Sequence, residues 1–331
     1  MKAVLLVNTG SPKAPTPLAV YSYLTEFLSD PRVIDIPTWK RKLLVNGVIV
    51  PFRFLTSTKA YRAIWSEEGS PLVFWGERTR TLLEELLGPG YRVELAMRYG
   101  SPSIEAALGR LEKEGVDELI ILPLFPQYTS ATTGSVFEEV MRCLKGWQSL
   151  PKMKWVKNYP THTRFIEAWK ARAASYDLDS YDHILFSYHG LPERQIQKAD
   201  KSGFCLTRNC CHRQKNPTCY SAQCYATTHK ICQALQIPEE KVSLAFQSRL
   251  GREPWLTPYT SDTLKNLAEQ GKKRLLIFSP AFVADCLETL YEIGVEYEEE
   301  FQEAGGEKLD FVESLNDHPL WIDTLKELVT S

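Results

Sequence analysis

The sequence predicts an α/β protein built from two Rossmann-like, doubly wound domains, each around a four-stranded parallel sheet, the two related as an internal pseudo-repeat. Three observations predict it. Short apolar runs bounded by turn residues alternate with helical patterns along the chain. The 331 residues exceed what one core usually organises. Finally, stretches of the two halves match in kind. Ala3 to Val7 (AVLLV) runs into Asn8, Thr9, Gly10, Ser11 and Pro12, and Ile184 to Phe186 opens a strand that ends on His189, before Gly190 and Pro192. Each is followed by Gly-x-Pro, with Thr9 where His189 stands.

The remaining elements follow in order. Glu118 to Phe125 (ELIILPLF) and Arg274 to Phe282 (RLLIFSPAF) are a second matched pair, each with a proline two residues before a phenylalanine. Val93 to Met97, Lys154 to Val156, Val242 to Phe246 and Leu309 to Val312 complete the strands. Helical periodicity covers Thr79 to Leu87, Ser103 to Lys113, Phe165 to Ala174 and Ser261 to Gln270. The expected organisation is a first domain over 1–159 and a second over 160–316, the latter carrying a cysteine-rich insertion at 202–224. A helix within 317–331, centred on His318 to Leu328, is expected to pack back on the first domain.

Composition narrows the function. With 44% hydrophobic and 24% charged residues and a net charge of −2, the chain offers no basic field for nucleic acid. The N-terminal apolar run is too short for a signal peptide and no stretch approaches a membrane span, which places the expectation in the cytoplasm. One segment stands out: Leu43 to Phe52 (LLVNGVIVPF) lies between Lys40, Arg41, Lys42 and Arg53. It reads equally as a buried helix or, over 43–54, as an apolar lip that touches a membrane surface or a flat greasy substrate.

Two sets of residues could carry chemistry. His189 sits where a parallel strand gives way to a loop, the end at which open α/β sheets bind ligands. Past the Arg274 to Phe282 strand, Glu288, Glu292 and Glu296 recur every fourth residue, forming a ladder of carboxylates on one helix face with no Lys or Arg in the row. A solvated face explains such a row as well as function does; its place just beyond a strand end, in the half that carries His189, favours function. Imidazole and carboxylates attract a divalent cation and carry protons, but they bind Fe2+ loosely. Loose binding suits transfer of an ion rather than storage. The second set is sulfur: of eight cysteines, Cys205, Cys210, Cys211, Cys219 and Cys224 fall in one short segment, a density that suggests metal or redox chemistry rather than disulfides.

At these residues the chain resembles the ferrochelatases, which insert Fe2+ into a porphyrin at the end of haem synthesis. The matching stretches are LLVNTGSP (Leu5 to Pro12), GSPL (Gly69 to Leu72), MRYGSP (Met97 to Pro102), FPQYTSATTGS (Phe125 to Ser135), SYHGLPER (Ser187 to Arg194), FQSRLGREPWL (Phe246 to Leu256), FVADCLETLY (Phe282 to Tyr291) and ESLN (Glu313 to Asn316). They keep the family's order and cover nearly the whole chain outside Gly203 to Cys219. The resemblance implies a porphyrin cleft between two Rossmann-like halves, with the family's metal-binding histidine on His189 and its essential glutamate on Glu288. Glu292 and Glu296 then continue an acidic path. It also implies a mechanism in which the macrocycle is distorted and two pyrrole protons leave as Fe2+ enters, His189 and Glu288 dividing metal guidance and proton acceptance between them.

Candidates for holding the porphyrin, by the same resemblance, are Thr9, Tyr128, Trp255 and, for a propionate, Arg98. Two departures bear on selectivity: Cys286 stands where the family commonly has His, and Thr9 where relatives place a larger side chain. Some bacterial members carry a 2Fe-2S cluster in an internal cysteine segment. Cys205, Cys210, Cys211 and Cys219 supply the four thiolates such a cluster requires, with Cys224 a possible substitute for one of the adjacent pair and a tetrahedral zinc the alternative. The expected partners are thus a porphyrin and ferrous iron. Competing expectations are a coproporphyrin ferrochelatase, another metal chelatase, or a porphyrin or haem carrier with an iron-sulfur sensor.

Overall fold

The computed structural model describes residues 1–207, 209–213, 216–251 and 253–331. The chain forms two compact units: Met1–Phe125 with Thr129–Asn158 and Ile322–Ser331, and Pro126–Tyr128 with Tyr159–Trp321.

The first unit is built on β1 (Lys2–Ser11), β2 (Tyr91–Gly100), β3 (Glu118–Pro123) and β4 (Lys152–Trp155), all parallel in the order β2-β1-β3-β4. Its helices are α1 (Pro17–Ser29), α2 (Thr38–Leu44), α3 (Val50–Ile64), α4 (Pro71–Leu87), α5 (Ile104–Glu114) and α6 (Ser135–Leu144). The central strand β1 is buried on both faces, as a continuous apolar run in a parallel sheet must be. One face, Ala3, Leu5 and Val7, packs on Ile104, Leu108 and Leu111 of α5 and on Val136 and Val140 of α6. Helix α5 starts because the Ser103 hydroxyl accepts the Ala106 N–H at 3.2 Å, and it stops at Gly115 in the left-handed region.

Strand β1 continues past Thr9 to Ser11, beyond the apolar run that marks it in the sequence. Gly10 permits this: at φ +121°, its missing Cβ would lie 1.9 Å from the Tyr99 carbonyl oxygen. Strand β2 extends past Val93 to Met97 at both ends, paired with β1 from Lys2 opposite Tyr91 to Ser11 opposite Gly100, and its buried Glu94 is held by Arg92 and Arg110.

The second unit repeats the plan with β5 (His183–His189), β6 (Val242–Gln247), β7 (Arg274–Phe278) and β8 (Lys308–Phe311) in the order β6-β5-β7-β8, again parallel. The strand order is that of the first sheet, as the matched halves of the sequence predict. Around it lie α7 (Thr163–Ala173), α8 (Glu193–Ala199), α9 (Tyr220–Leu235), α10 (Thr260–Glu269) and α11 (Glu298–Glu303). Leu185, Leu275 and Ile277 pack against Leu264 and Leu267 of α10 and against Ile293, Tyr297 and Phe301. The final helix, α12 (Pro319–Thr330), belongs from Ile322 onward to the first unit, and it ends where Lys154 of that unit donates to the Leu328 and Val329 carbonyls, each at 2.9 Å.

Leu43 to Phe54 is helical throughout, α2 passing through a π-turn at Val45–Ile49 into α3. The buried-helix reading of this segment holds in part. Val45 and Val50 pack with Leu28 in a small core, whereas Trp39, Leu43 and Phe52 are 67%, 67% and 80% exposed. Arg41, expected as a basic flank, turns inward to the Ile34 and Ile36 carbonyls. Among the described residues, no helix is long and apolar enough to cross a membrane.

Candidate active site

The second sheet positions the site. Strand β5 delivers His189 at its last residue, in register with Gln247 at the end of β6. The Gly190 N–H donates to the Gln247 carbonyl at 2.8 Å, so pairing of the two strands carries on one residue past the histidine. Gly190 is required there: a Cβ would meet that carbonyl oxygen at 2.9 Å and the Trp255 ring at 3.1 Å. With no side chain in the way, Trp255 settles beside His189, the ring centroids 6.5 Å apart. The bridge between Pro192 and Trp255 and the Leu256 N–H to the Leu191 carbonyl hold the tryptophan in place. The Trp255 Nε1–H is buried with no hydrogen-bond partner among the described residues. His189 Nδ1 lies 2.7 Å from the Gly190 carbonyl oxygen, which fixes the plane of the imidazole.

The carboxylate row sits on a ten-residue π-helix, Glu288–Tyr297, rather than an α-helix. Such helices are rare and frequently mark functional positions. The core decides which way the row faces: Ile293 and Tyr297 are driven inward, and the glutamates fall on the remaining side. Glu292 reaches back to the strand ends, where it accepts from the Ser248 hydroxyl at 2.6 Å and the Gln247 amide at 3.4 Å. Ser248 takes φ +64° to present that hydroxyl. His189 and the glutamate row therefore share Gln247: one as its strand partner, the other through its side chain.

Burial raises the Glu292 carboxyl to about 7; the neighbouring charges of Glu288 and Glu296 push the same way, and the Ser248 and Gln247 hydrogen bonds oppose them. Glu296 at the outer end is exposed, Glu288 half-buried. Glu292 in the middle of the row is the most deeply placed, and no Lys or Arg is paired with it among the described residues. Cys286, two residues before Glu288, is buried and its thiol is pushed well above the ordinary range by that burial and by Glu288.

The other predicted residues lie as follows. Tyr128 belongs to the second unit, its N–H held by the Gln223 side chain at 3.0 Å. Thr9 and Arg98 belong to the first. The Thr9 N–H donates to the Asn8 side chain at 2.8 Å. The Arg98 guanidinium is already engaged, 2.7 Å from the buried Asp30 carboxylate and 2.7 Å from the Ser135 hydroxyl, so a propionate would have to share it. Arg252, inside the FQSRLGREPWL stretch, lies outside the described residues. Gln247, Ser248 and Asp30 were not singled out by the sequence; the signal for the first two is their place within the matched FQS stretch, at the end of the strand beside β5.

Four of the five clustered cysteines, Cys205, Cys210, Cys211 and Cys219, line one cavity of about 10 Å³ together with Phe204, Asn216 and Ala222. The Cys210 and Cys211 sulfurs are 3.7 Å apart, and Cys205 accepts from the Asn216 amide at 3.3 Å. Burial, followed by the neighbouring Cys219, lifts the Cys205 thiol to about 12. Cys211 is likewise lifted to about 12 by burial, with Cys210 and Cys219 adding to it and the Ser221 hydroxyl opposing. Cys224 does not line this cavity; it lies fully buried beside the Tyr220 phenol. Among the described residues no group of three or more His, Cys, Asp or Glu side chains is closed around an ion position.

Fold and donors together define a class: a doubled, doubly wound α/β protein that presents imidazole and carboxylate groups, suited to a divalent cation, at the carboxyl end of one parallel sheet. The chain belongs to the ferrochelatase family, whose model matches residues 1–331. It is 42% identical to a ferrochelatase of Legionella pneumophila (strain Lens), over 99% of this chain and 98% of that one. It is 44% identical to a ferrochelatase of Ectopseudomonas mendocina, over 98% of this chain and 96% of the relative. Among solved structures, SirB from Bacillus subtilis with Fe3+ shares the fold, with a TM-score of 0.53 at 12% identity over 99% of this chain and 96% of that one.

Proposed function

We propose that the protein is the ferrochelatase of haem synthesis, a lyase that inserts Fe2+ into protoporphyrin with release of two protons. One observation carries the assignment of residues: Glu292, with no Lys or Arg paired to it among the described residues, accepts from Ser248 and Gln247 at the strand tips that present His189. In this reading Glu296 and Glu292 pass Fe2+ inward, and Glu288 and His189 meet the reacting centre, one guiding the ion and the other accepting a pyrrole proton. Trp255 packs on the porphyrin beside His189, with Tyr128, Thr9 and Arg98 as further contacts. Oxygen and nitrogen donors hold iron weakly enough to release it.

The thiol cavity fits a 2Fe-2S cluster in donor kind and number, with Cys205, Cys210, Cys211 and Cys219 as its ligands and zinc as the alternative. Thiols lifted to about 12 are protonated at neutral pH, and a metal that displaces those protons removes the cost of their burial. When bound, such a group supplies cross-linking of the loop and sensitivity to redox state, not iron for the product. The exposed Trp39, Leu43 and Phe52, flanked by Lys40, Lys42 and Arg53, support a peripheral membrane contact.

The test is made without air. The visible spectrum of the purified protein is recorded, and Fe2+ is then added with protoporphyrin or coproporphyrin in the same cuvette. Sulfide-bridged iron absorbs before the addition, and protohaem forms after it. In Glu288→Gln, turnover is expected to fall by about 10²- to 10⁴-fold while porphyrin binding persists. Undiminished turnover in that variant refutes the assignment, and a protein that binds porphyrin but never inserts metal is a carrier.

A further inference from the structure

The first turn of α9 touches both the thiol cavity and the histidine. Cys219, whose side chain lines the cavity, is the residue that caps this helix. Tyr220 follows, buried, and its hydroxyl donates to the backbone carbonyl of His189 at 2.7 Å. Ser221 comes next, its hydroxyl 3.1 Å from the Cys211 sulfur. Gln223, two positions further, holds the Cys219 carbonyl at 3.3 Å. A single rigid turn therefore binds two of the four cavity cysteines and the end of β5.

The bond from Tyr220 acts where it matters. His189 is the last residue of its strand, so the phenol satisfies a carbonyl at the very point where β5 ends. That carbonyl belongs to the His189–Gly190 peptide, and the next carbonyl, on Gly190, is the one that fixes His189 Nδ1. Rotation of the first peptide would carry Gly190 with it and turn the imidazole. Groups behind a metal-binding histidine typically alter metal affinity by about 10- to 100-fold when removed.

We propose that Tyr220 is a positioning residue for His189, and that through it a soft metal group held by the cavity thiolates tightens the histidine's grip on ferrous iron. The inference rests on the proposed roles of His189 and of the cysteines. Drawing the four sulfurs onto a metal fixes Cys219 and Cys211, hence the first turn of α9, hence the phenol and the peptide it holds. With the thiols empty, the turn meets Cys211 only through the Ser221 hydroxyl, a weak sulfur contact, and the histidine is less well placed.

The experiment compares the full-length protein as isolated with the same protein stripped of thiol-bound metal under anaerobic, reducing conditions, for wild type and Tyr220→Phe. Three quantities are measured: metal content with the visible spectrum, Fe2+ binding by equilibrium dialysis without porphyrin, and KM for each substrate. Stripping the wild type is expected to weaken Fe2+ binding and raise KM for Fe2+ by about tenfold or more, with KM for porphyrin changed less than twofold. Tyr220→Phe should retain its thiol-bound metal yet already show the weakened Fe2+ binding, and stripping it should add less than twofold. The proposal is overturned if Tyr220→Phe binds Fe2+ like wild type, or if stripping weakens the variant as much as the wild type. Equal loss of both substrates with a lowered Tm would mark Tyr220 as merely structural and overturn it too. A wild type that never holds metal at its thiols refutes the thiol reading and the coupling, while Fe2+ binding to Tyr220→Phe still decides the positioning role.

Discussion

Each unit carries a buried acid near the carboxyl ends of its strands, and the two are treated in opposite ways. In the first, Asp30 is surrounded by donors: Arg98 at 2.7 Å, the Tyr99 hydroxyl at 2.9 Å and the Ser135 hydroxyl at 2.5 Å. In the second, Glu292 meets, among the described residues, a hydroxyl and an amide, has two further carboxylates as neighbours, and is lifted by burial to about 7. A carboxylate fully answered by a guanidinium has no need of another cation. One buried beside other carboxylates is stabilised by a divalent ion that arrives, and in the function proposed above that ion is iron. On that proposal the same sheet plan hosts a structural ion pair in one copy and an acceptor for a cation in the other.

The largest test of this contrast is Asp30→Ala, which strands the Arg98 guanidinium. It should cost about 3–5 kcal/mol in urea unfolding, because an unpaired charge is left largely buried. If the loss is no more than that of a surface pair, the first acid is not the structural one.

Next in size is Glu292→Gln. A carboxyl raised in the folded state adds stability that is complete below the usual carboxylate range and is lost as pH rises through about 7. The iron-free wild type should therefore weaken over that window. The variant should lack the slope and melt about 2–4 °C higher at pH 8, while binding Fe2+ less well. Equal pH profiles for the two proteins would remove the basis of the comparison.

The smallest effect concerns His183, at the opposite end of β5, where burial, with Lys272 and Lys241 adding to it, lowers the imidazole to about 4. Here the sign is reversed: the unfolded chain takes up the proton first, so stability falls as pH drops from about 6.5 towards 4. His183→Gln should flatten that acid limb, measured by urea midpoints at pH 7 and pH 5, and leave turnover unchanged.

Much of the molecule was legible in the sequence because its signals are local. The apolar runs of β1 and β5, the helical periodicity from Ser103 to Lys113 and the matched Gly-x-Pro turns each depend on a few adjacent residues, and the eight strands stand where those runs are. The ends of strands were less legible: β1 passes through Thr9 because Gly10 allows close approach to Tyr99, a partner far along the chain. The glutamate spacing was visible, but not the burial of Glu292 or its hold on Ser248 and Gln247. Arg98 reads as a free cation in the sequence because nothing near it foretells Asp30.

What the sequence determined by itself is the doubled parallel sheet, the histidine at a strand end, the row of acids and the supply of thiols, since periodicity and composition act over short distances. Tertiary structure alone decided which groups meet. It gave Arg98 to Asp30, left Cys224 out of the thiol cavity and placed the Tyr220 hydroxyl on the His189 backbone. Those choices join residues tens of positions apart, and they are made only when core packing brings one strand end and one helix turn to the same place.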